Sequence, residues 1–483
     1  MFTTDWKPNK SSPVPVHKQI TDFIKGKIAN GEWTIGYKLP PQRTLAKALG
    51  VNRSTVVTAY EELTAEGLIQ GKSGSGTRVT NNTWNLLATT PPPDWRSYVT
   101  FGIHKPNLPT IQEINQAEFI PNMIRLGTGE LSPTLIPVHS MKEVIKELST
   151  KEISYGYGES KGLMPLREQI SKYLMTTGIQ ASPSSILIVS GALQALQLIS
   201  LGLLHKGSTV LTEKPSYLHS INVFQSAGIR LVGIPMDQDG MEANYLSHYK
   251  KTHKGALLYS IPSFHNPTGT VMSAERREQL LKICQQEQLP IIEDDVYREL
   301  WFNEQPPKPL KAFDKNGLVL YLGSLSKSLS PGLRIGWIVG PEPVIDHLAD
   351  IKMQTDYGSS SLSQWAAVEW FSSGLYVQHL IELRNELKIR RDFTLNILNQ
   401  YFSDLAEWGE PRGGFYVWVR LIPSISIRYL FETALLEGLL LNPGNVYDHQ
   451  AEQYLRISYS FASLAELEYG LKRLATIIKQ IAK

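Results

Sequence analysis

A lysine stands among small, turn-prone residues in the stretch GSLSKSLSPGLRIG, residues 323–336. Lys327 is the amine of this stretch, and Arg334 follows seven residues later. A lysine in a loop of serines and glycines is ordinarily a solvated side chain. An amine of this kind becomes a nucleophile toward carbonyl carbons where neighbouring groups hold a partner molecule against it. The chemistry of Lys327 therefore depends on which other residues lie beside it.

The elements that could position such residues alternate between short apolar runs and helical stretches. We predict strands at 185–189, 208–212, 229–234, 256–260, 290–294 and 318–322. Strands that alternate with helices predict an α/β fold, with a mostly parallel sheet between helices. In sheets of this kind, ligands bind beyond the carboxyl ends of the strands.

Chemically useful residues end or follow four of these predicted strands. In chain order they are Ser190, Gly191, Ala192, Leu193, Asn266, Asp294, Tyr297, Ser324 and Lys327. The first four open a helix, whose free backbone N–H groups bind phosphate. We therefore expect an anion cradle, an amide, a carboxylate, a phenol and an amine at one edge of the sheet.

These groups match the needs of pyridoxal 5′-phosphate. Its aldehyde requires a lysine, and its pyridine nitrogen stays protonated beside a buried carboxylate. Its ring oxygen requires hydrogen-bond donors, and Arg334 supplies a cation for the phosphate. Each residue also has an ordinary explanation, such as a solvated strand end for Asp294 or a plain turn for HNPTG. The order of all of them along one chain favours the cofactor.

Residues 122–483 resemble the fold-type I aminotransferase domain, which has a smaller C-terminal subdomain. The resemblance rests on the runs YGYGESKGLMPLR, SGALQAL, EKPSY, HNPTG, EDDVY, GSLSKSLSPGLRIGW, RGGFYVWV, PGNVY and RISYS. It implies an aldimine at Lys327 and a pyridine contact at Asp294, both catalytic. It also implies ring-oxygen contacts from Asn266 and Tyr297 and ring stacking by Tyr217. The implied phosphate contacts are Ser190, Gly191, Ala192, Leu193, Ser324, Ser326 and Arg334.

Further expectations follow from the same resemblance. Tyr157 is similar to the tyrosine that reaches the phosphate of a partner subunit, which implies a homodimer, with a head-to-tail arrangement. Arg456 resembles the arginine that grips the carboxylate of an amino acid through two parallel hydrogen bonds. This chain has Ala192-Leu193 where the family often has Ser-Gln. Backbone N–H groups therefore replace side-chain contacts to the phosphate there.

The first 80 residues carry a different pattern. Apolar residues at helical spacing predict one helix from about residue 16, followed by two short helices that meet at Gly50. Asn52 stands where it can cap the third helix. LIQGKSGSGTRVT then predicts two strands around a Gly/Ser tip. This is a helix-turn-helix with a wing.

The winged helix predicts contact with double-stranded DNA. The second helix of such a motif enters the major groove with its N-terminal residues leading. We predict DNA contacts at Arg43, Lys47, Asn52, Arg53, Ser54, Thr55, Lys72, Ser75, Gly76 and Arg78. Taken by itself, the helix-turn-helix spacing fits a protein-interaction module equally well.

Residues 19–79 resemble the GntR-type winged helix, through the run from QI to GSGTRV. Pro41 and Asn52 stand where that family usually has serine. We place the DNA-binding domain at 12–80 and the aminotransferase-like domain at 122–483. Between them, residues 81–121 contain a triple proline at 91–93, which discourages regular structure, and we predict a tether there. Trp84, Trp95, Tyr98 and Phe101 also fit a loop packed on the second domain.

Composition agrees with a folded intracellular protein. The 483 residues include 42% hydrophobic and 19% charged residues, which suits several packed domains. The single cysteine, Cys284, permits no internal disulfide and fits a reducing cytoplasm. The net charge of +3 arises from the first 80 residues, which hold 11 lysines and arginines against 6 acidic residues. Residues 186–204 carry no charge, but Ser190-Gly191 predicts a buried strand and helix there rather than a membrane span.

A winged-helix head before an aminotransferase-like body resembles the MocR/GabR subfamily of regulators. The resemblance implies a transcriptional regulator that binds pyridoxal phosphate and DNA and senses an amine or amino acid. Two alternatives remain open from the residues. One is a working aminotransferase with an accessory head, and the other is a direct sensor of the cofactor itself.

Overall fold

The structure is a computed structural model of the chain. It describes residue 4 and residues 6–72, 76–81, 95–102, 104, 106–154 and 156–482, with the backbone alone at residues 72 and 96. The chain divides into two compact units, residues 1–102 and residues 103–483.

The described part of the first unit contains helices and one strand pair. They are α1 Val16–Ala29, α2 Gln42–Leu49, α3 Arg53–Ala65, β1 Ile69–Lys72, β2 Gly76–Val79 and α4 Trp95–Phe101. Strands β1 and β2 pair antiparallel. The predicted winged helix-turn-helix is confirmed.

The helices of the head form because their apolar residues share one side. Ile20 and Ile24 of α1, Leu45 of α2 and Leu63 of α3 are all fully buried in one core. Gly50 ends α2 in the left-handed conformation, with φ of 66°, which glycine adopts without steric cost. The turn between α2 and α3 is therefore set by the sequence itself.

Helices of the second unit cover its sheets. They are α5 Pro109–Ala117, α6 Val138–Leu148, α7 Met164–Thr176, α8 Ala192–Gly202, α9 Val223–Ser226, α10 Leu246–His253, α11 Ala274–Gln286, α12 Glu342–Thr355, α13 Ser361–Ser372, α14 Leu375–Tyr401, α15 Ile427–Leu436 and α16 Leu464–Ile481. The strands are β3 Ile124–Arg125, β4 Ile186–Val189, β5 Thr209–Lys214, β6 Arg230–Asp237, β7 Gly240–Met241, β8 Gly255–Ser260, β9 Ile291–Asp294, β10 Val319–Ser324, β11 Gly336–Val339, β12 Ala406–Trp408, β13 Tyr416–Leu421, β14 Leu439–Leu440 and β15 Tyr454–Ser458.

The large sheet has the order β4-β11-β10-β9-β8-β5-β6-β7. Strands β10, β9, β8, β5 and β6 run parallel, so their carboxyl ends meet at one edge. The six predicted strands correspond to β4, β5, β6, β8, β9 and β10, which confirms the α/β fold with a mostly parallel sheet. Strand β11 was missed, and it pairs antiparallel with both β4 and β10.

The C-terminal part of the unit contains its own small sheet. Strands β12, β13 and β15 pair antiparallel. Helices α14, α15 and α16 belong to the same part of the chain. This arrangement matches the smaller C-terminal subdomain that the sequence predicted.

The predicted tether at 81–121 contains regular structure in its described part. Residues 82–94, with the triple proline, lie outside the described residues. The described remainder contains α4 and α5, which the prolines of this segment did not predict; the tether itself stays a prediction. Helix α5 forms because Ile114 and Ala117 lie one turn apart and bury in the core of the second unit.

The uncharged segment 186–204 folds as the sequence predicted. Strand β4 is buried along its whole length, and Gly191 turns the chain into α8. Among the described residues, no helix has the length and apolar content to cross a bilayer.

Substitution of one glycine in β10, Gly323, tests how closely β10 packs on β11. A Cβ at Gly323 would lie 2.3 Å from the indole of Trp337, which is itself buried. We expect Gly323→Ala to lower the free energy of unfolding by about 1–3 kcal/mol, because the indole has to move within a packed core. Thermal unfolding measures the effect. Gly409→Ala is the control, since a Cβ there meets open space; equal melting temperatures for the two variants would contradict the packing described.

Candidate functional site

A cavity of about 380 Å³ opens at the carboxyl ends of the parallel strands. This volume suits a small-molecule ligand. The predicted residues that line it are Gly191, Ala192, Leu193, Tyr217, Asn266, Asp294, Tyr297, Ser324, Ser326, Lys327, Arg334 and Arg456. The structure therefore brings these residues together from widely separated parts of the chain.

Asp294 ends β9 and is 3% exposed. The hydroxyl of Tyr259 donates a hydrogen bond of 2.7 Å to its Oδ2, while its buried Oδ1 has no partner among the described residues. Burial raises the pKa of the Asp294 carboxyl to about 6, because the charged form loses hydration. An N–H donor that carries positive charge would form a hydrogen bond with the free oxygen and would also neutralise the charge of the carboxylate.

Lys327 follows β10 and reaches the cavity from the neighbouring strand. Its Nζ donates to the carbonyl oxygen of Gly129 at 2.6 Å. The same Nζ lies 5.9 Å from the centre of the Tyr297 ring. The lysine is half-buried and lines the cavity, so its amine lies in a walled site rather than extending into solvent.

A cradle for an anion lies at the N-terminus of α8. Gly191 has φ of 89°, and a Cβ there would lie 2.7 Å from Nη2 of Arg334. That guanidinium donates to the carbonyl oxygen of Ser190. Ser324 Oγ donates to Ser326 Oγ at 3.0 Å. Free helix N–H groups, hydroxyls and a cation thus converge, which is the donor set that a phosphate requires.

Arg456 connects two walls of the cavity. Its Nη1 donates to Oδ1 of Asn266 at 2.8 Å, and its Nη2 donates to the carbonyl oxygen of Gly127 at 2.7 Å. The guanidinium lies 4.1 Å from the centre of the Tyr416 ring. Tyr416 and Tyr297 share a hydrogen bond of 2.9 Å between their hydroxyls. A buried arginine beside two phenols suits the carboxylate of a small ligand.

A buried acid fixes the segment that carries Asn266. Glu213 ends in a fully buried carboxyl that accepts hydrogen bonds from Ser260 Oγ and from the backbone N of Ile261. His265 Nε2 lies 3.9 Å from its Oε2. Burial raises the pKa of Glu213 to about 7 and lowers the pKa of His265 to about 3. Both residues stand in the quoted runs EKPSY and HNPTG, but no role was predicted for them.

Ser190 and Tyr157, which were predicted to contact the cofactor, do not line the cavity. Ser190 takes part through its backbone carbonyl, which accepts from Arg334. Tyr157 is 85% exposed, and its ring packs 4.8 Å from that of Tyr357. The predicted role of Tyr157 concerns a second subunit, so it stays a prediction.

Several lining residues were missed by the sequence prediction. They are Ile111, Ile114, Asn115, Glu118, Thr128, Gly129, Leu196, Ser220, Ile221, Ile261, Val296, Tyr416, Asn442, Val446 and Tyr447. Tyr416 and Tyr447 lie in the runs RGGFYVWV and PGNVY, which were recognised as a pattern without assigned roles. No pattern pointed to α5, because its residues were assigned to the tether.

The predicted DNA surface is exposed at the start of α3. Arg43, Lys47, Asn52, Arg53 and Ser54 are all exposed. The N-terminus of α3 thereby presents a cation and two short polar side chains to solvent. Thr55 is half-buried.

The wing is described only in part, and its predicted DNA contacts stay predictions. Arg78 Nη1 donates to the carbonyl oxygen of Gly36 at 2.8 Å, so this guanidinium is partly engaged within the head. Gly76 is exposed. Ser75 lies outside the described residues, and for Lys72 only the backbone is described.

Capping of α3 also differs from the expectation. Asn52 occupies the N-cap position, but its side chain makes no capping hydrogen bond. Pro41 likewise occupies the N-cap of α2 rather than its first turn. The Asn52 amide is thereby left exposed at the predicted DNA surface.

Comparison with known proteins gives the family. Residues 121–474 match the family described as "Aminotransferase class I and II", and residues 17–79 match "Bacterial regulatory proteins, gntR family". The chain belongs to the family of HTH-type transcriptional regulators in which a gntR-family head precedes a class I and II aminotransferase domain. The GntR and aminotransferase resemblances seen in the sequence are thereby confirmed.

Named relatives share this arrangement. The chain is 55% identical over 474 residues to "Uncharacterized HTH-type transcriptional regulator YdfD" of Bacillus subtilis (strain 168), covering 98% of each chain. It is 37% identical over 447 residues to "HTH-type transcriptional regulator NorG" of Staphylococcus aureus (strain N315), covering 92% of this chain and 100% of that protein. A solved multiple substrate aminotransferase from Thermococcus profundus superposes with a TM-score of 0.75 at 28% identity, covering 80% and 99% of the two chains.

The cofactor of this domain is pyridoxal 5′-phosphate, and the residues present fit it. The unpartnered Oδ1 of Asp294 suits a protonated pyridine nitrogen. The cradle around Gly191 and Arg334 suits a phosphate. The amine of Lys327 lines the same cavity and suits the aldehyde of this cofactor.

Loss of the lysine tests its assignment. We expect Lys327→Ala to abolish covalent retention of the cofactor, because no other amine lines the cavity among the described residues. Treatment with borohydride followed by peptide mass analysis measures the retained cofactor. Lys352→Ala serves as the control, since that lysine lies outside the cavity and pairs with Asp356. Covalent attachment of the cofactor to the Lys327→Ala variant would show that a different lysine binds it.

Removal of the buried charge tests the role of Asp294. Because its pKa is raised from the ordinary 3.8 to about 6, the stability that this group contributes is present below pH 3.8 and is lost as pH rises through 6. We expect cofactor-free Asp294→Asn to be more stable than wild type at pH 8, by on the order of 1–3 kcal/mol. The difference should shrink as pH falls toward 4.

The same variant should bind the cofactor more weakly, because asparagine carries no charge to offset the protonated pyridine nitrogen. Thermal unfolding across pH and titration with pyridoxal 5′-phosphate measure the two effects. A destabilised Asp294→Asn at pH 8, or unchanged cofactor affinity, would contradict this account of the site.

Proposed function

We propose that this protein is a DNA-binding transcriptional regulator of the MocR/GabR type. In this proposal it responds to an amine, an amino acid or pyridoxal 5′-phosphate itself at Lys327. The observation that carries the proposal is that one chain has both an exposed helix-turn-helix surface and a cavity lined by Lys327 and by Asp294, whose Oδ1 has no partner among the described residues. A DNA-binding head does not by itself require a cofactor cavity, and a cofactor cavity does not by itself require a DNA-binding head.

Each residue of the cavity has a role under this proposal. Lys327 holds the cofactor covalently, and Asp294 keeps the pyridine nitrogen protonated. Asn266 and Tyr297 hold the ring oxygen, and Tyr217 stacks on the ring. The phosphate is held by Gly191, Ala192, Leu193, Ser324, Ser326 and Arg334, and the backbone carbonyl of Ser190 accepts from Arg334. When bound, the cofactor supplies an aldehyde carbon that amines attack.

Arg456 gives the site its preference for a carboxylate. Its guanidinium is buried and now donates to Asn266 and to the backbone of Gly127. A ligand carboxylate in the cavity would compete for those donors. Movement of these partners on ligand binding is a means by which the body changes conformation.

A ligand shifts such a conformational balance only by its differential affinity for the two states. We propose that the effector shifts the aminotransferase-like unit of a homodimer and thereby changes the affinity of the heads for DNA. Tyr157 supports the dimer, since it is a large aromatic residue with 85% exposure that lies outside its own cavity.

A second candidate function is aminotransferase turnover. It is favoured by the completeness of the cavity, where the lysine, the buried carboxylate and the carboxylate-binding arginine all meet. The solved relatives with 28–30% identity are aminotransferases. A transamination assay with 2-oxoacids separates this function from regulation.

Fluorescence anisotropy on the DNA upstream of the gene tests the regulator directly. The protein is titrated with and without pyridoxal 5′-phosphate at one stated salt concentration, because phosphate contacts make affinity depend on salt. Specific binding over a scrambled fragment supports the regulator. A response to the cofactor alone identifies a cofactor sensor. Turnover without specific DNA binding would contradict the proposal.

The head is tested by one substitution at the start of α3. We expect Arg53→Ala to weaken specific DNA binding by about 1–3 kcal/mol, because a base or phosphate contact is lost. Lys18→Ala is the control, since that exposed lysine lies on α1 and outside the predicted surface. Equal affinities for Arg53→Ala and wild type would remove Arg53 from the DNA contacts.

A further inference from the structure

One acid of the cavity has no role in cofactor binding. Glu118 follows α5 and lines the cavity. Its Oε1 accepts a hydrogen bond of 2.8 Å from Thr128 Oγ1. Arg125 approaches it only at the backbone, where its guanidinium donates to the Glu118 carbonyl. Within the part of the chain that the structure describes, no lysine, arginine or histidine forms an ion pair with the Glu118 carboxylate.

The other charges of the cavity are accounted for under the proposed function. Asp294 faces the pyridine nitrogen, and Arg334 faces the phosphate. Lys327 holds the cofactor, and Arg456 faces a ligand carboxylate. Glu118 is therefore the one charged lining residue in the described cavity without an assigned partner. A half-buried carboxylate is stabilised by a cation that reaches it.

The position of Glu118 relative to the reactive groups is fixed by a short backbone segment, residues 127–129. Arg456 donates to the carbonyl of Gly127, and Glu118 accepts from the side chain of Thr128. Lys327 donates to the carbonyl of Gly129. Consecutive Cα atoms are about 3.8 Å apart. The carboxylate-binding arginine, the acid and the lysine thus contact three consecutive residues of one segment and line the same cavity.

Part of the cavity wall is apolar. Ile111 and Ile114 of α5 line the cavity, and so do Ile221 and Val296. An aliphatic stem of a few carbons can pack on such side chains. A ligand with a carboxylate, an α-amino group, an aliphatic stem and a distal cation would then satisfy every charged group.

We propose that the effector is an amino acid with a cationic aliphatic side chain, of the lysine or ornithine class, and that Glu118 selects it. This inference rests on the proposed function, since it names the ligand of that same site. An acidic side chain would be repelled by Glu118. A neutral aliphatic side chain would leave the Glu118 carboxylate without a cation.

A purely structural role for Glu118 is separable from selection. Its carboxylate could serve only to attach the end of α5 to Thr128. Glutamine keeps the side-chain oxygen that accepts this hydrogen bond but removes the charge. Glu118→Gln therefore preserves the attachment and removes only the attraction for a cation.

The experiment compares L-lysine, L-ornithine and L-norleucine as probes. Norleucine has the aliphatic stem of lysine without the terminal amine. Each is titrated into cofactor-loaded wild type, Glu118→Gln and Glu113→Gln, with affinity measured by calorimetry and by the visible absorbance of the cofactor. Glu113 lies on the same helix but pairs with Arg428 outside the cavity lining, so Glu113→Gln is the matched control.

We expect wild type and Glu113→Gln to bind L-lysine or L-ornithine at least about tenfold more tightly than L-norleucine, as one charge-assisted contact predicts. In Glu118→Gln the ratio should fall to about threefold or less, with norleucine affinity unchanged. Retained absorbance of the cofactor in Glu118→Gln shows that the site itself is intact.

The contrary outcomes are distinct. Equal affinity of wild type for lysine, ornithine and norleucine would overturn the inference while leaving the regulator in place. A cationic preference that persists in Glu118→Gln would overturn the assignment to Glu118. Absence of any response to amino acids would overturn both the inference and amine sensing. Should Glu118→Gln fail to hold the cofactor, the comparison within wild type still decides the ligand class.

Discussion

The buried carboxylate of Asp294 is the constraint on which the site depends. It stands at the end of a parallel strand, away from water, with one oxygen satisfied by Tyr259 and the other without a partner. An uncompensated charge in that position costs free energy. The register of the sheet places Leu322 of β10 beside Asp294, so the loop that carries Lys327 begins next to the acid. The charge and the nucleophile are positioned by the same pair of strands.

The phosphate cradle depends on a strand that runs the other way. Strand β11 lies between β4 and β10 and is antiparallel to both. It begins at Gly336, two residues after Arg334, and pairs Gly336 with Val189, next to the turn at Gly191. The cation and the helix N-terminus therefore meet because β11 returns the chain from the lysine loop to β4. The close packing of glycines here leaves room for the guanidinium against the backbone.

Much of this could be predicted from the sequence, because local patterns record local structure. Helical spacing predicted α1–α3, and apolar runs predicted the strands whose ends carry Asp294 and Lys327. The contacts that tune the site could not be predicted. Tyr259 with Asp294, Gly129 with Lys327, and Asn266 with Arg456 are far apart in the chain. Periodicity shows which face a residue occupies but not which distant residue it meets.

Helix α5 is a second feature that local sequence patterns did not predict. Prolines around it indicated a tether, yet Ile114 and Ala117 bury in the core and Glu118 lines the cavity. Tertiary burial here outweighs the local signal of the prolines. The role of Tyr157 could not be read from one chain at all, since a contact with a second subunit requires that subunit.

We propose that the cofactor cavity and the DNA surface are thermodynamically coupled. Linkage requires the coupling to be reciprocal. The most direct measurement is the affinity of the cofactor-loaded protein for L-lysine by calorimetry, with and without saturating operator DNA. We predict that DNA changes this affinity by the same factor by which L-lysine changes the affinity for DNA. An amino-acid affinity that stays the same with DNA bound would contradict the account, since the two sites would then act independently.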